Sequence, residues 1–246
     1  MVRVTAPAPP SALEPAVRPA ARGADNLLRR PGALRTLLPH PPALCYHQDA
    51  KEDSLMTVAP QSSKLDELIR RLDQAVAIRD DEIRCQNVKR VLSDVVASGE
   101  DFVDASYLLP TPDCYARRLL HRDAEGRYSA LVMVWDKGQG TPLHDHAGMW
   151  CVECVYRGRI RVTSYSVHGG NPETGVVQFE QESVVHAGKA EAGALIPPFE
   201  YHVLENAADA PAVTIHVYGG DMTYCHIFEP VEGGWRRKYK ELRYTS

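Results

Sequence analysis

His144 and His146 stand two residues apart in the stretch GQGTPLHDH at residues 138–146. On extended chain, side chains two apart project from one face, so this segment can offer two imidazoles to one metal ion. The spacing around them is more specific than a lone HxH. Gly138 precedes His144 by five intervening residues, Cys151 follows His146 after four, and Gly158 follows Cys151 after six. A third histidine, His202, follows Pro197 after four intervening residues and precedes Asn206 by three. A single histidine is ordinarily a surface or satisfied core residue. Three on two spaced motifs, in this order, point to a metal centre.

Short strands must position these residues. Alternating apolar patterns predict strands over 115–121, 128–135, 143–156, 159–166, 178–185, 193–196, 202–206, 213–218 and 224–229, with a last strand within 233–246. Turn signals such as 123–126, 137–140 and 169–172 separate them. Many short strands at this spacing suggest a jelly-roll sandwich or barrel. Ahead of them, Leu65, Leu68, Ile69, Leu72 and Val76 repeat with helical period. Ser63 and Asp66 read as a capping box. A second helix is expected over 81–98, with Ile83, Val88, Val91, Leu92 and Val95 inward and Gly99 as its stop, and a short third over 101–107. The expected division is a helical part at 61–110 and a barrel at 111–246, one domain over 61–246.

Residues 1–60 hold over half of the 18 prolines, among alanines and arginines, and read as a disordered tail. Arg22, Arg29, Arg30 and Arg35 give it a transit-peptide flavour, but the proline density opposes an amphipathic helix. Met56 offers an alternative start. The net charge of −4 gives no basic surplus for nucleic acid, and no apolar run reaches membrane-spanning length. The six cysteines follow no small-domain disulfide pattern and no secretory leader is evident, so a reducing cytoplasm is expected; the expected partners are a small-molecule thiol and O2, with the chain a monomer. A zinc or redox role for Cys151 and Cys154 as a CxxC pair is a weak alternative.

The first histidine motif matches the first cupin motif, with cysteine where many cupins carry a glutamate ligand. The second, around His202, has Pro198 and Phe199 in the turn where glycine is usual. With Tyr-Ala-Arg at 115–117, Trp135, His-Asp-His at 144–146, Tyr-His-Val-Leu-Glu-Asn at 201–206, Pro-Ala-Val-Thr-Ile-His-Val-Tyr at 211–218 and Cys-His-Ile-Phe at 225–228, residues 115–229 resemble the cysteine dioxygenase family of cupin thiol dioxygenases. That resemblance implies a mainly β fold, a cupin double-stranded β-helix (jelly-roll) barrel with N-terminal α-helices packed on it. It also implies one Fe(2+) per chain held by His144, His146 and His202. Three neutral imidazoles leave the ion's charge uncompensated, unlike a two-histidine, one-carboxylate triad. The implied anion is a substrate thiolate, oxidised by O2 to a sulfinate.

The resemblance further assigns Arg117 to the substrate carboxylate, which its planar fork suits. Strand alternation alone sends only one of Arg117 and Arg118 inward and does not choose between them. Thr214, His216 and Tyr218 alternate along one strand and match the family's serine, histidine and tyrosine, with threonine in place of serine. Cys151 stands where some members form a thioether with that tyrosine; a plain buried cysteine is the competing reading. Tyr115 and Trp135 are expected in the pocket wall, Cys225 near the substrate, and Asp145 facing away to orient the ligands. Glu153 is read as a surface or core salt-bridge residue, and His226 has no motif role. The implied substrate is L-cysteine. Mercaptosuccinate or 3-mercaptopropionate, or a metal-binding cupin without oxygen chemistry, are the alternatives.

Overall fold

The computed structural model describes residues 63–198 and 200–246. The expected tail over 1–60, its arginines and the turn residue Phe199 lie outside the described residues. Two helices come first, α1 (Ser63–Val76) and α2 (Asp81–Ala97). Leu65, Leu68, Leu72 and Val76 recur on one side of α1 and are buried. Asp80 caps α2 by accepting the Ile83 N–H at 2.9 Å, and its acidic first turn complements the helix dipole. Gly99, at φ +80°, ends it as expected. Ile83 departs from the expectation of an inward residue, at 55% exposed. It lies about 140° round the helix from Val88, off the face that carries Cys85, Val88, Leu92 and Val95. Only a 3₁₀ turn, Ala105–Leu108, forms where a third helix was expected.

Two five-stranded antiparallel sheets follow. The first has the order β1-β2-β8-β3-β6, from β1 (Ala116–Arg122), β2 (Ser129–Trp135), β3 (Cys151–Arg157), β6 (Ala192–Leu195) and β8 (Ala212–Tyr218). The second, β7-β4-β5-β10-β9, comprises β4 (Arg159–Gly170), β5 (Val176–Gly188), β7 (Tyr201–Glu205), β9 (Tyr224–Val231) and β10 (Gly234–Glu241). This is the double-stranded β-helix.

Every residue of β2 and β8 is buried, because both faces of that sheet are covered. Val132, Val134, Val152, Cys154, Val213, Ile215 and Val217 pack with the helices in one cluster. Their alternation partners, including Leu131, Met133, Trp135, Cys151, Val155 and Tyr218, fall in clusters on the opposite, interior face. Leu72 is fully buried in the helix–sheet layer. Leu72→Ala is expected to lower stability by about 2–5 kcal/mol, read as a shifted urea midpoint at unchanged slope.

The expected strand over 143–156 is two different things. Residues 140–150 form no regular strand, and β3 begins only at Cys151. Yet this irregular stretch is pinned on both sides. His144 bridges to His202 of β7 and to Ile227 of β9, and Phe228 donates its N–H to the Leu143 carbonyl at 2.8 Å. The histidine segment thus lies between β7 and β9, the two edge strands of the second sheet. Isolated bridges hold it, so it escapes a continuous ladder while keeping extended geometry at His144.

Candidate metal centre

Three imidazoles converge from these elements. His144 and His146 come from the pinned segment and His202 from β7. The ring centroids of His144 and His202 are 4.6 Å apart, those of His146 and His202 5.0 Å, and those of His144 and His146 5.2 Å. One nitrogen of each lies within 4.8 Å of the others. The Nε2 atoms of His144 and His202 face each other at 3.2 Å. After His146 the chain turns at once through Ala147 (φ +53°) and Gly148 (φ +78°). A non-glycine residue rarely adopts that left-handed conformation. Asp145 helps hold it, since its Oδ1 accepts the Ala147 N–H at 3.0 Å. The same carboxylate takes the backbone N–H of His226 at 2.9 Å and lies 3.0 Å from its ring Nδ1. Asp145 therefore ties the histidine segment to β9, and His226, without a role in the sequence pattern, is its partner.

Burial drives the pKa of all three imidazoles down, His146 and His202 most strongly. They are neutral at physiological pH, the form in which histidine ligates. Both ring nitrogens of His146 and the Nδ1 of His202 are buried with no protein hydrogen-bond partner. Buried polar atoms without partners are costly, and a bound ion would relieve that cost at this cluster. The residues fit a divalent cation.

A hydrogen-bonded row runs beside the histidines along β8. Thr214, His216 and Tyr218 share the interior face. The Trp135 Nε1–H donates to Thr214 Oγ1 at 2.9 Å, which lies 2.8 Å from His216 Nε2. His216 Nδ1 is 3.2 Å from the Tyr218 hydroxyl. Burial lowers the His216 pKa to about 3, so this imidazole is neutral too, and burial raises Tyr218 well above its usual range. Tyr218 and Cys151 are direct cross-strand partners of β8 and β3, buried in one cluster with Met222 and Cys225. Cys154 points the other way, into the helix-facing cluster. It lies three positions on from Cys151, an odd offset on a strand, so the CxxC pair does not converge.

Arg117 is the inward arginine, 2% exposed, whereas Arg118 faces the helical side and donates to the carbonyls of Tyr107 and Leu109. The Arg117 guanidinium donates to the Met222 carbonyl at 2.6 Å and to the Arg243 carbonyl at 3.4 Å, and sits over the Tyr244 ring at 5.2 Å. Tyr115 stacks on Trp135 at 4.6 Å. Tyr115, Arg117, Met133, His144, His216, Tyr218 and Cys225 line a small cavity of about 50 Å³. Burial pushes the Cys225 thiol up to about 12.

Of two carboxylates at this centre, the sequence reading passes over Glu200 and sets Glu153 aside as a ligand because its spacing is wrong for the cupin glutamate. Glu200 is buried and accepts the His146 backbone N–H at 3.3 Å; its carboxyl is raised to about 7 by burial. Glu153 corrects a specific expectation. Among the described residues it pairs with no lysine or arginine, and it is 8% exposed on the interior face of β3. Its Oε1 is 3.5 Å from His202 Nε2 and 3.5 Å from His216 Nδ1. Burial raises its pKa to about 8. Period two along β3 puts Glu153 on the face of Cys151, a signal hidden by attention to cupin-motif spacing alone.

Three imidazoles enclosed in a double-stranded β-helix, beside an arginine-lined cavity, form a candidate site for a metal ion. The family model described as "Cysteine dioxygenase type I" matches residues 54–230, and the chain belongs to that family; it is an oxidoreductase of the dioxygenase class. It is 23% identical to cysteine dioxygenase type 1 of Homo sapiens over 170 residues, covering 69% of this chain and 80% of that one. It is 24% identical to the Mus musculus protein over the same shares. Among solved structures, TT1209 from Thermus thermophilus superposes with a TM-score of 0.37 at 17% identity, over 49% of this chain and 98% of that one, too slight a likeness to carry an argument. No helix among the described residues is long and apolar enough to cross a membrane.

Proposed function

We propose that this chain oxidises a small carboxylated thiol, L-cysteine first, to its sulfinate with O2 and one Fe(II) per chain, as a cytoplasmic monomer whose catalytic unit is residues 61–246. The observation that carries the reading is Arg117, buried in the cavity that His144 borders. A guanidinium has five N–H donors, and the Met222 and Arg243 carbonyls leave several for a carboxylate. His144, His146 and His202 would hold the ion. Bound there, Fe(II) supplies the redox chemistry for O2 and keeps the substrate thiol deprotonated.

The balance is RS⁻ plus O2 giving RSO2⁻, both oxygen atoms ending on sulfur. Arg117 binds and orients the substrate through its carboxylate. Tyr115 and Cys225 line the cavity, while Trp135, expected in its wall, stacks on Tyr115 instead of lining it. Tyr218 presents a phenol that burial keeps protonated, a hydrogen-bond donor to the reacting oxygen or sulfur. His216 and Thr214 orient that phenol through the row anchored on Trp135. The cross-strand pairing of Cys151 with Tyr218 favours a thioether between them; a C–S bond replaces the S–H and a ring C–H, the two protons and two electrons pass to O2, and intact-protein mass reads the loss.

Thr214→Val removes the hydroxyl between Trp135 and His216 while keeping its shape. It is expected to lower kcat by about 10- to 100-fold with little change in KM, since the row does not touch the carboxylate. An unchanged kcat would remove Thr214 from the relay. The test of the function is oxygen uptake by the Fe(II)-loaded chain with cysteine, 3-mercaptopropionate and mercaptosuccinate, with the sulfinate identified. No thiol-dependent uptake with any of them would overturn it.

A further inference from the structure

We infer that Glu153 is a fourth protein donor to the metal, so that the centre is three histidines and one carboxylate rather than three histidines alone. The sequence position does not suggest this, because the residue at the cupin glutamate position is Cys151. β3 offers the next inward position, two residues on, and this chain fills it with an acid. A carboxylate on the closed interior of a barrel is expensive unless a cation compensates it. Among the described residues, no lysine or arginine pairs with Glu153. Its Oε1 is fully buried without a hydrogen-bond partner, as are both nitrogens of His146.

The distances agree with a shared ion. Donors in adjacent positions around an ion with bonds of about 2.1 Å stand about 3 Å apart. His144 Nε2 and His202 Nε2 are 3.2 Å apart, and Glu153 Oε1 is 3.5 Å from that same His202 Nε2. Glu153 also forms, with His146 and Cys151, a second set whose ligating atoms lie within 4.8 Å of one another. The two sets share His146. The acid therefore stands beside the triad, on the side where β3 meets β8.

A protein carboxylate changes what the substrate must bring. It supplies part of the anionic charge and occupies a position that an amine of the substrate would otherwise take. A thiol then needs only its sulfur at the ion and its carboxylate on Arg117, and the substrate class widens to carboxylated thiols without an α-amine. This consequence rests on the thiol dioxygenase reading; the ligand assignment does not.

Titration of the metal-free full-length chain with Co(II) tests the assignment without turnover. Wild type is expected to bind one Co(II), and Glu153→Gln to bind it about 10- to 100-fold more weakly with shifted visible bands. Glu153→Asp should recover part of the affinity. The infrared difference spectrum of wild type, with minus without Co(II), is expected to show a carboxylate band that needs no variant to be folded. An unchanged Co(II) affinity and spectrum in a folded Glu153→Gln overturns the inference, and so does the lack of a metal-dependent carboxylate band in wild type. In the Fe(II) enzyme, Glu153→Gln should raise the preference for cysteine over 3-mercaptopropionate about tenfold in kcat/KM; an unchanged preference overturns the substrate consequence. If the Co(II) results hold while neither thiol is oxidised by wild type, the function falls and the ligand stands.

Discussion

His202→Ala is expected to strip the chain of its metal. His202 is fully buried, and its Nε2 faces His144 Nε2 at 3.2 Å and Glu153 Oε1 at 3.5 Å, so it sits between the imidazole and carboxylate donors. Alanine there leaves a hole at the centre of the donors and removes one of the three imidazoles that converge on the site. The affinity loss should exceed the 10- to 100-fold typical of perturbing a ligand's support, and metal content after desalting should fall close to zero. The loss has a thermodynamic echo. A ligand at about 100 times its Kd stabilises a folded chain by about 2.7 kcal/mol, so metal should raise the melting temperature of wild type and leave that of His202→Ala unmoved. Full metal occupancy in the variant would mean that the third histidine is not a ligand.

Arg117→Ala is expected to cost about 2–5 kcal/mol in the productive binding of the thiol, about thirtyfold to several thousandfold in kcat/KM, most of it in KM. Two jobs meet on this residue. Its guanidinium lines the substrate cavity, and it also clasps the C-terminal segment through the Met222 and Arg243 carbonyls and the Tyr244 ring. Arg117→Lys separates them, because an ammonium keeps the charge but not the planar fork. Kinetics and thermal unfolding, run on both variants, read the two jobs independently. A KM unchanged in Arg117→Ala, with only the melting temperature lowered, would reduce Arg117 to a clasp.

Local rules worked where one element decides the outcome. The α1 face at Leu65, Leu68, Leu72 and Val76 follows from helical period, and the end of α2 at Gly99 follows from its freedom at positive φ. Alternation put Thr214, His216 and Tyr218 on one face, since β8 is regular throughout. They failed where neighbours decide. The 143–156 stretch alternates like a strand, but His144 is held by β7 and β9, and the turn at Ala147 needs Asp145 to stabilise it. Ile83 belongs to the apolar pattern of α2, yet among the described residues no element packs over its side of the first turn.

The sequence by itself determined that this chain carries spaced histidines, short strands and a capped helical pair, because residue type and period are local properties written in order along the chain. It could not choose between Arg117 and Arg118, since alternation is blind to which face is the inside. Only the tertiary structure decided that, by laying the helices over one face of the β1-β2-β8-β3-β6 sheet and closing the second sheet over the other. The same closure turned Glu153 from an apparent salt-bridge residue into a buried acid 3.5 Å from His202. Whether a charged side chain is solvated or stranded depends on what encloses it, and that is a property of the packed barrel rather than of any segment within it.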